Sequence, residues 1–137
     1  MLHLKIITPK KVVLEQDIKS ITVPSAEGEI TILPRHQSLF SLLKEGILKI
    51  KVGETEDFLA IGGGYLETNG HEINILVARA YGQDEIDQKL TEQATEQAKK
   101  LLSEAKDNKQ LVEATSLLRR SLIDMKLLKR KKIHRSI

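Results

Sequence analysis

The 137-residue chain has no cysteine, no tryptophan, three prolines and only 3% aromatic residues. The absence of cysteine excludes disulfides, thiolate nucleophiles and sulfur-ligated metals, and it fits a reducing compartment. With two Tyr and two Phe in all, the core has to be aliphatic. No apolar run approaches the roughly 20 residues that span a bilayer. The start, MLHLKIITPK, lacks the charged-then-apolar layout and the small-residue cleavage site of a secretory signal. The expectation is a soluble folded chain that meets a membrane only through a partner. Its length allows one ordinary domain, or a small domain with an appendage.

Catalytic chemistry is equally sparse. His3, His36, His71 and His134 lie in different segments with no i, i+4 pairing, so a zinc site is not expected. Gly62-Gly63-Gly64 lacks the G-x-G-x-x-G spacing and precedes a strand rather than a helix, which points to a bulge or tight turn and not to a phosphate loop. No Ser, His and acid grouping has the context of a nucleophilic triad. The chain therefore reads as no enzyme, with no cofactor and no metal.

What is present is strand periodicity. Leu2, Leu4 and Ile6 alternate with His3, Lys5 and Ile7 as far as Pro9, and Val12 to Ile18 continues as a second strand. Ser20 to Val23 and Glu29 to Leu33 form a hairpin across the turn Pro24-Ser25-Ala26-Glu27-Gly28, closed by Pro34-Arg35-His36. Ser38 to Leu43 reads as an apolar link. Gly46 to Val52 and Thr55 to Ile61 pair across Gly53-Glu54. Tyr65 to Glu67 and Glu72 to Val77, the expected last strand, flank Asn69-Gly70, a hairpin signal. Several short strands at close turn spacing predict a β sandwich over residues 1–83.

Past Gly82 the period changes. Ile86, Leu90, Ala94, Ala98, Leu101 or Leu102, and Ala105 recur at helical steps, with Asp84 as the expected N-cap. Asp107 with Gln110 three residues on predicts a capping box. A second helix follows, its stripe running through Leu111, Ala114 or Thr115, Leu118, Leu122, Met125, and Leu128 or Lys129. The short connection implies an antiparallel helical hairpin over residues 84–137. The fold class is α+β in two parts, an N-terminal antiparallel β sandwich followed by a C-terminal α-helical hairpin.

Charge is uneven. Residues 1–83 hold nine Lys/Arg against ten Asp/Glu, while residues 108–137 hold nine against two. A basic last segment suits an acidic protein surface. Nucleic acid would be the rival, but no aromatics are interleaved for stacking, so no nucleic-acid partner is expected. A ligand-binding sandwich, the other rival, would need a polar pocket that the residues do not advertise.

Three segments carry a resemblance: SITVPSAEGEITILPRH at Ser20 to His36, IGGGYLE at Ile61 to Glu67, and INILVARA with the following EID at Ile73 to Asp87. With the order of sandwich then hairpin, the chain resembles, over essentially its full length, the epsilon subunits of F-type rotary ATP synthases. It departs from that pattern at Gln37-Ser38, where Ala-Pro is usual, and at Ile61, where Ser or Ala often precedes the glycine pair. The resemblance implies a non-catalytic central-stalk subunit that turns with the rotor and couples proton or sodium flow to ATP synthesis. Its partners would be the gamma subunit, the c-subunit ring, and the catalytic beta and alpha subunits. Its place would be peripheral, on the cytoplasmic face of a bacterial inner (plasma) membrane in preference to a plastid thylakoid. The sandwich would bind gamma, with Glu29, Arg35 and His36 at the c ring. The hairpin would fold back or extend along gamma, the extended form inhibiting ATP hydrolysis. Arg119, Arg120, Lys126, Lys129 and Arg130 would then meet an acidic segment of the beta subunit, with Lys131, Lys132 and Arg135 a tail beyond. Some relatives bind ATP through Ile-Asp-x-x-Arg-Ala and basic residues of the second helix. Here Ile86, Asp87 and Arg120 remain, but Leu90, Thr91 and Asp124 stand in the other positions, so the site is a remnant at best.

Overall fold

The computed structural model describes residues 1–130 and divides into two units, Met1–Gly82 and Gln83–Arg130. The first contains ten strands: β1 (Leu2–Ile7), β2 (Val12–Ile18), β3 (Ser20–Ser25), β4 (Gly28–Ile32), β5 (Leu39–Leu43), β6 (Gly46–Val52), β7 (Thr55–Ile61), β8 (Gly64–Thr68), β9 (Glu72–Val77) and β10 (Ala80–Tyr81). They are hydrogen-bonded in the order β10-β7-β6-β3-β5-β8-β9-β1-β2, with β4 on the free side of β3. This path folds back on itself as a sandwich, because alternate residues of both ends share one core: Leu2, Leu4, Ile6 and Ile18 with Leu48, Ile50, Leu59, Leu66, Ile73 and Ile75. Each Leu or Ile buried this way contributes about 1.5–3 kcal/mol over an exposed one. The pairs are antiparallel except β1 with β9, which run parallel.

Three local expectations change. The turn predicted from Pro24 to Gly28 is only Ala26 and Glu27, since β3 continues through Pro24 and Ser25. Proline is tolerated because the β3–β6 ladder ends at Thr22 and the β3–β5 ladder begins at Ser25, so no ladder bond is lost between them. The expected link over residues 38–43 contains a strand, β5, whose two faces are both largely apolar and so hid its period. Glu72–Val77 is not the last strand; β10 follows and pairs with β7.

The second unit opens with a 3-10 turn (Gln83–Glu85), followed by α1 (Gln88–Glu104) and α2 (Asn108–Leu128), packed as a hairpin. Asp87, not Asp84, caps α1: its carboxylate accepts the Leu90 N–H at 2.9 Å, whereas Asp84 lies within the 3-10 turn. Asp107 caps α2 through the Gln110 N–H at 2.8 Å, and the Gln110 side chain accepts the Lys106 N–H, one residue before the cap. The expected stripes are met in part: Ala98 and Ala114 are buried and Ala94, Leu102, Ala105, Leu118, Met125 and Leu128 half-buried, but several stripe leucines are not. Thr91, Thr95 and Ala98 of α1 and Ala114, Ser121 and Leu127 of α2 are buried, while Leu90, Leu101, Leu111 and Leu122 are exposed. Thr91 and Thr95 tolerate burial because their hydroxyls donate back to the carbonyls of Asp87 and Thr91.

Candidate functional site

The first set of expected contact residues lies along β4, which pairs with β3 alone among the described residues. Strand alternation exposes Glu29, Thr31 and Leu33 on one side, and Arg35 follows them in the corner beyond. Glu29 sits in β4 and Arg35 in the turn beyond the strand's end, so the two lie at different places along this edge. They mark the two ends of one edge.

The corner at Arg35 is rigid. Arg35 sits at φ 67°, and its N–H donates to the Gly70 carbonyl at 2.9 Å. The His36 N–H closes the turn on Leu33, and its ring Nδ1 lies 2.7 Å from the Gln37 carbonyl. Gly70, at φ 91°, has to be glycine, because a Cβ there would stand 2.5 Å from the His36 carbonyl oxygen. The Asn69-Gly70 turn thus buttresses the Pro34 corner, a link between distant segments that neither motif announces.

A second surface was not singled out by its residues. One register crosses five strands, Leu42–Tyr65–Leu76–Ile7–Val12, from β5 through β8, β9 and β1 to β2. All five point away from the core, and Leu42 and Val12 are 60% and 47% exposed. Phe40, 61% exposed, lies beside the row with its ring 5.2 Å from that of Tyr65. The neighbouring rows are polar: His3, Lys5, Glu15, Asp17, Glu67 and Asn74. Apolar residues at the outward positions of strands were the available signal. It was masked because each strand contributes only one or two.

Among those polar neighbours His3 stands between two carboxylates, with Nδ1 2.8 Å from Asp17 and Nε2 2.8 Å from Glu15. The hydrogen bond to Asp17, then that to Glu15, raises the His3 pKa, and His3 in turn lowers that of Glu15. Among the described residues no group of three or more His, Asp and Glu is arranged to hold a metal ion.

On α2, Arg119, Arg120, Lys126, Lys129 and Arg130 are all exposed. At about 100° per residue, Arg119 and Lys126 share one face, roughly opposite buried Ala114 and Ser121, while Arg130 lies beyond the helix end. Arg120 lies a quarter turn round, and Lys129 is the C-cap residue. Lys131, Lys132 and Arg135 fall outside the described residues. Ile86 is half-buried, and Asp87 is occupied in capping α1. Of the substituted positions, Leu90 is 62% exposed and Thr91 is buried. No helix among the described residues is long and apolar enough to cross a membrane.

Comparison with known proteins accords with this architecture. Residues 1–83 match the family described as ATP synthase, delta/epsilon chain, beta-sandwich domain. The ATP synthase epsilon chain of Chloroflexus aggregans is 36% identical over 135 residues, 98% of this chain and 96% of the relative. That of Syntrophobacter fumaroxidans is 35% identical over 126 residues, 92% and 94% of the two chains. A chloroplastic epsilon chain from Lotus japonicus is 35% identical over 120 residues, 88% and 90%. Among solved structures, a chain of the Euglena gracilis mitochondrial ATP synthase in an OSCP/F1/c-ring assembly superposes with TM-score 0.71 at 24% identity, covering 93% of this chain and 77% of that one. A chain of the Tetrahymena thermophila central stalk and c-ring gives 0.68 at 18% identity, covering 93% and 96%. Sandwich, hairpin and full-length sequence similarity agree, and the chain belongs to the epsilon-chain family of the ATP synthases.

Proposed function

We propose that this epsilon chain is a non-catalytic rotor subunit, which docks by its sandwich on the gamma subunit and the c ring and restrains ATP hydrolysis through its hairpin. The observation that carries the reading is the apolar row Leu42–Tyr65–Leu76–Ile7–Val12 with Phe40 beside it. A continuous apolar band rimmed by polar residues is what a protein partner covers. Gamma is the partner for this face. The polar β4 edge, Glu29 to Arg35 with His36, suits the polar loops of the c ring, and the fold neighbours come from assemblies that contain that ring. The exposed cations of α2 suit an acidic segment of the catalytic beta subunit. The domains divide the work: residues 1–83 dock and residues 84–137 regulate. Such a subunit is held peripherally at the membrane by the complex, on the cytoplasmic face in a bacterium, and relatives occur in bacteria and in chloroplasts.

Co-purification with gamma and the c ring tests the reading. Leu42→Asp places a charge at the β5 end of the band, on its most exposed row residue and next to Phe40 and Tyr65, and is expected to abolish capture of gamma while the sandwich melts as in wild type. Glu29→Arg is expected to leave gamma bound and to weaken coupling of ion flow to synthesis. Full gamma capture by the Leu42→Asp chain would overturn the assignment of that face.

A further inference from the structure

Gln83 is the first residue of the second unit, and its side chain reaches the far end of the same unit. Its Nε2 donates to the carbonyls of Leu127, at 2.7 Å, and Arg130, at 2.6 Å. Leu127 is in the last turn of α2, where its carbonyl also accepts the Arg130 N–H at 3.0 Å, and Arg130 lies two residues beyond the helix. One amide with two hydrogens spans both carbonyls. The opposite end of the hairpin is closed by chain connection and by the Asp107 and Gln110 caps. Between the ends the buried residues are small or polar: Thr91, Thr95, Ala98, Ala114 and Ser121. Of the larger side chains, Leu102, Leu118, Met125 and Leu128 are half-buried, and Leu90, Leu101, Leu111 and Leu122 are exposed. Apart from Leu127 at the open end, the seam covers its large apolar groups only in part, so burial contributes less than in a closed core. The polar tie at its open end therefore weighs heavily on whether the helices stay together.

We propose that Gln83 is the clasp of the hairpin: its amide holds the end of α2 at the start of the unit, and releasing it lets α2 part from α1. The proposal rests on the reading that the hairpin opens in the course of regulation. It adds the group that sets the balance between closed and open forms, and it identifies Leu127 and Arg130 as the carbonyls that group must release.

The test uses the full-length chain with Gln83→Leu, similar in size without donors, and Gln83→Glu, whose ionised carboxylate faces carbonyls and cannot donate. Amide hydrogen exchange along α2 is expected to quicken by roughly 5–30-fold in both, the factor for losing one or two net hydrogen bonds. Exchange in the sandwich strands stays as in wild type. Wild-type exchange along α2 in both variants would overturn the clasp, and so would an equal rise throughout the sandwich. In the reconstituted complex, clasp release favours the extended form, so Gln83→Leu is expected to lower ATP hydrolysis. Faster α2 exchange with unchanged hydrolysis would keep the clasp and overturn the regulatory reading instead.

Discussion

His3 illustrates how a single exposed residue ties pH to structure. Its raised pKa arises from Asp17 and Glu15 on the neighbouring strand, with Lys5 and Glu72 the other charged groups in register around it. A group whose pKa is raised on folding stabilises below its unfolded value, near 6.5, and loses that contribution as pH rises through the folded value. Glu15, whose pKa is lowered, contributes above its ordinary 4.5 and loses the contribution as pH falls. His3→Gln is therefore expected to lower the urea midpoint of the sandwich more at pH 6 than at pH 8. An equal change at both pH values would show that the clamp is not electrostatic. Gly64 is a second single-residue constraint. A Cβ there would overlap the Leu76 carbonyl oxygen and stand 2.8 Å from the Val77 Cα, both backbone atoms of the paired strand. Gly64→Ala is expected to cost about 1–3 kcal/mol of sandwich stability as overpacking, read by denaturant titration. A loss of only a few tenths would mean that β9 yields easily.

At the scale of the element, α1 starts at Asp87, which with Ile86 the resemblance marks as the remnant of a nucleotide site and whose carboxylate caps α1. The Thr91 N–H and hydroxyl both return to the Asp87 carbonyl. Replacing this cap costs a helix about 0.5–2 kcal/mol, so an Asp87 variant would confuse folding with ligand binding. The wild-type chain gives the cleaner test. With Leu90, Thr91 and Asp124 where a phosphate would need donors and cations, isothermal calorimetry is expected to show no ATP binding at micromolar concentrations. Micromolar heat would mean that other cations of α2 build the site.

For the whole molecule, charge is parcelled between the units. The sandwich carries the apolar row and near-balanced charge, while the exposed cations Arg119, Arg120, Lys126, Lys129 and Arg130 lie on α2 and just past its end. Each exposed ion pair with a partner is worth about 0.2–1 kcal/mol, and several together shift a balance of a few kcal/mol. Removing the residues after Asn108 is expected to preserve assembly and synthesis and to raise ATP hydrolysis by the purified complex. Reversing Arg119, Arg120 and Lys126 to Glu is expected to raise it partway, and 1 M salt, with a screening length of about 3 Å, to act in the same direction. Identical hydrolysis by full-length and truncated enzymes at low and high salt would remove the brake from α2.

Much of this was legible along the chain. Alternation of Leu2, Leu4 and Ile6, or of Leu48 and Ile50, reports a half-buried strand because side-chain period is a local property of the backbone. The same holds for the change to helical period after Gly82 and for Asp107 as a cap, since each depends on residues within four positions. The family resemblance rested on short motifs of that kind. Pairing and neighbours were not legible. The parallel β1–β9 pair, the support of the Arg35 corner by Gly70, and the row from Leu42 to Val12 all join residues far apart in sequence. Each contributing strand shows only one unremarkable side chain. The helical stripes held Ala98 and Ala114, which are buried, but also Leu90, Leu111 and Leu122, which are exposed, while Thr91, Thr95 and Ser121 outside the stripes are buried. Local periodicity determined the elements; the tertiary structure decided which of their faces meet, because that choice is set by packing between segments that no short window of sequence contains.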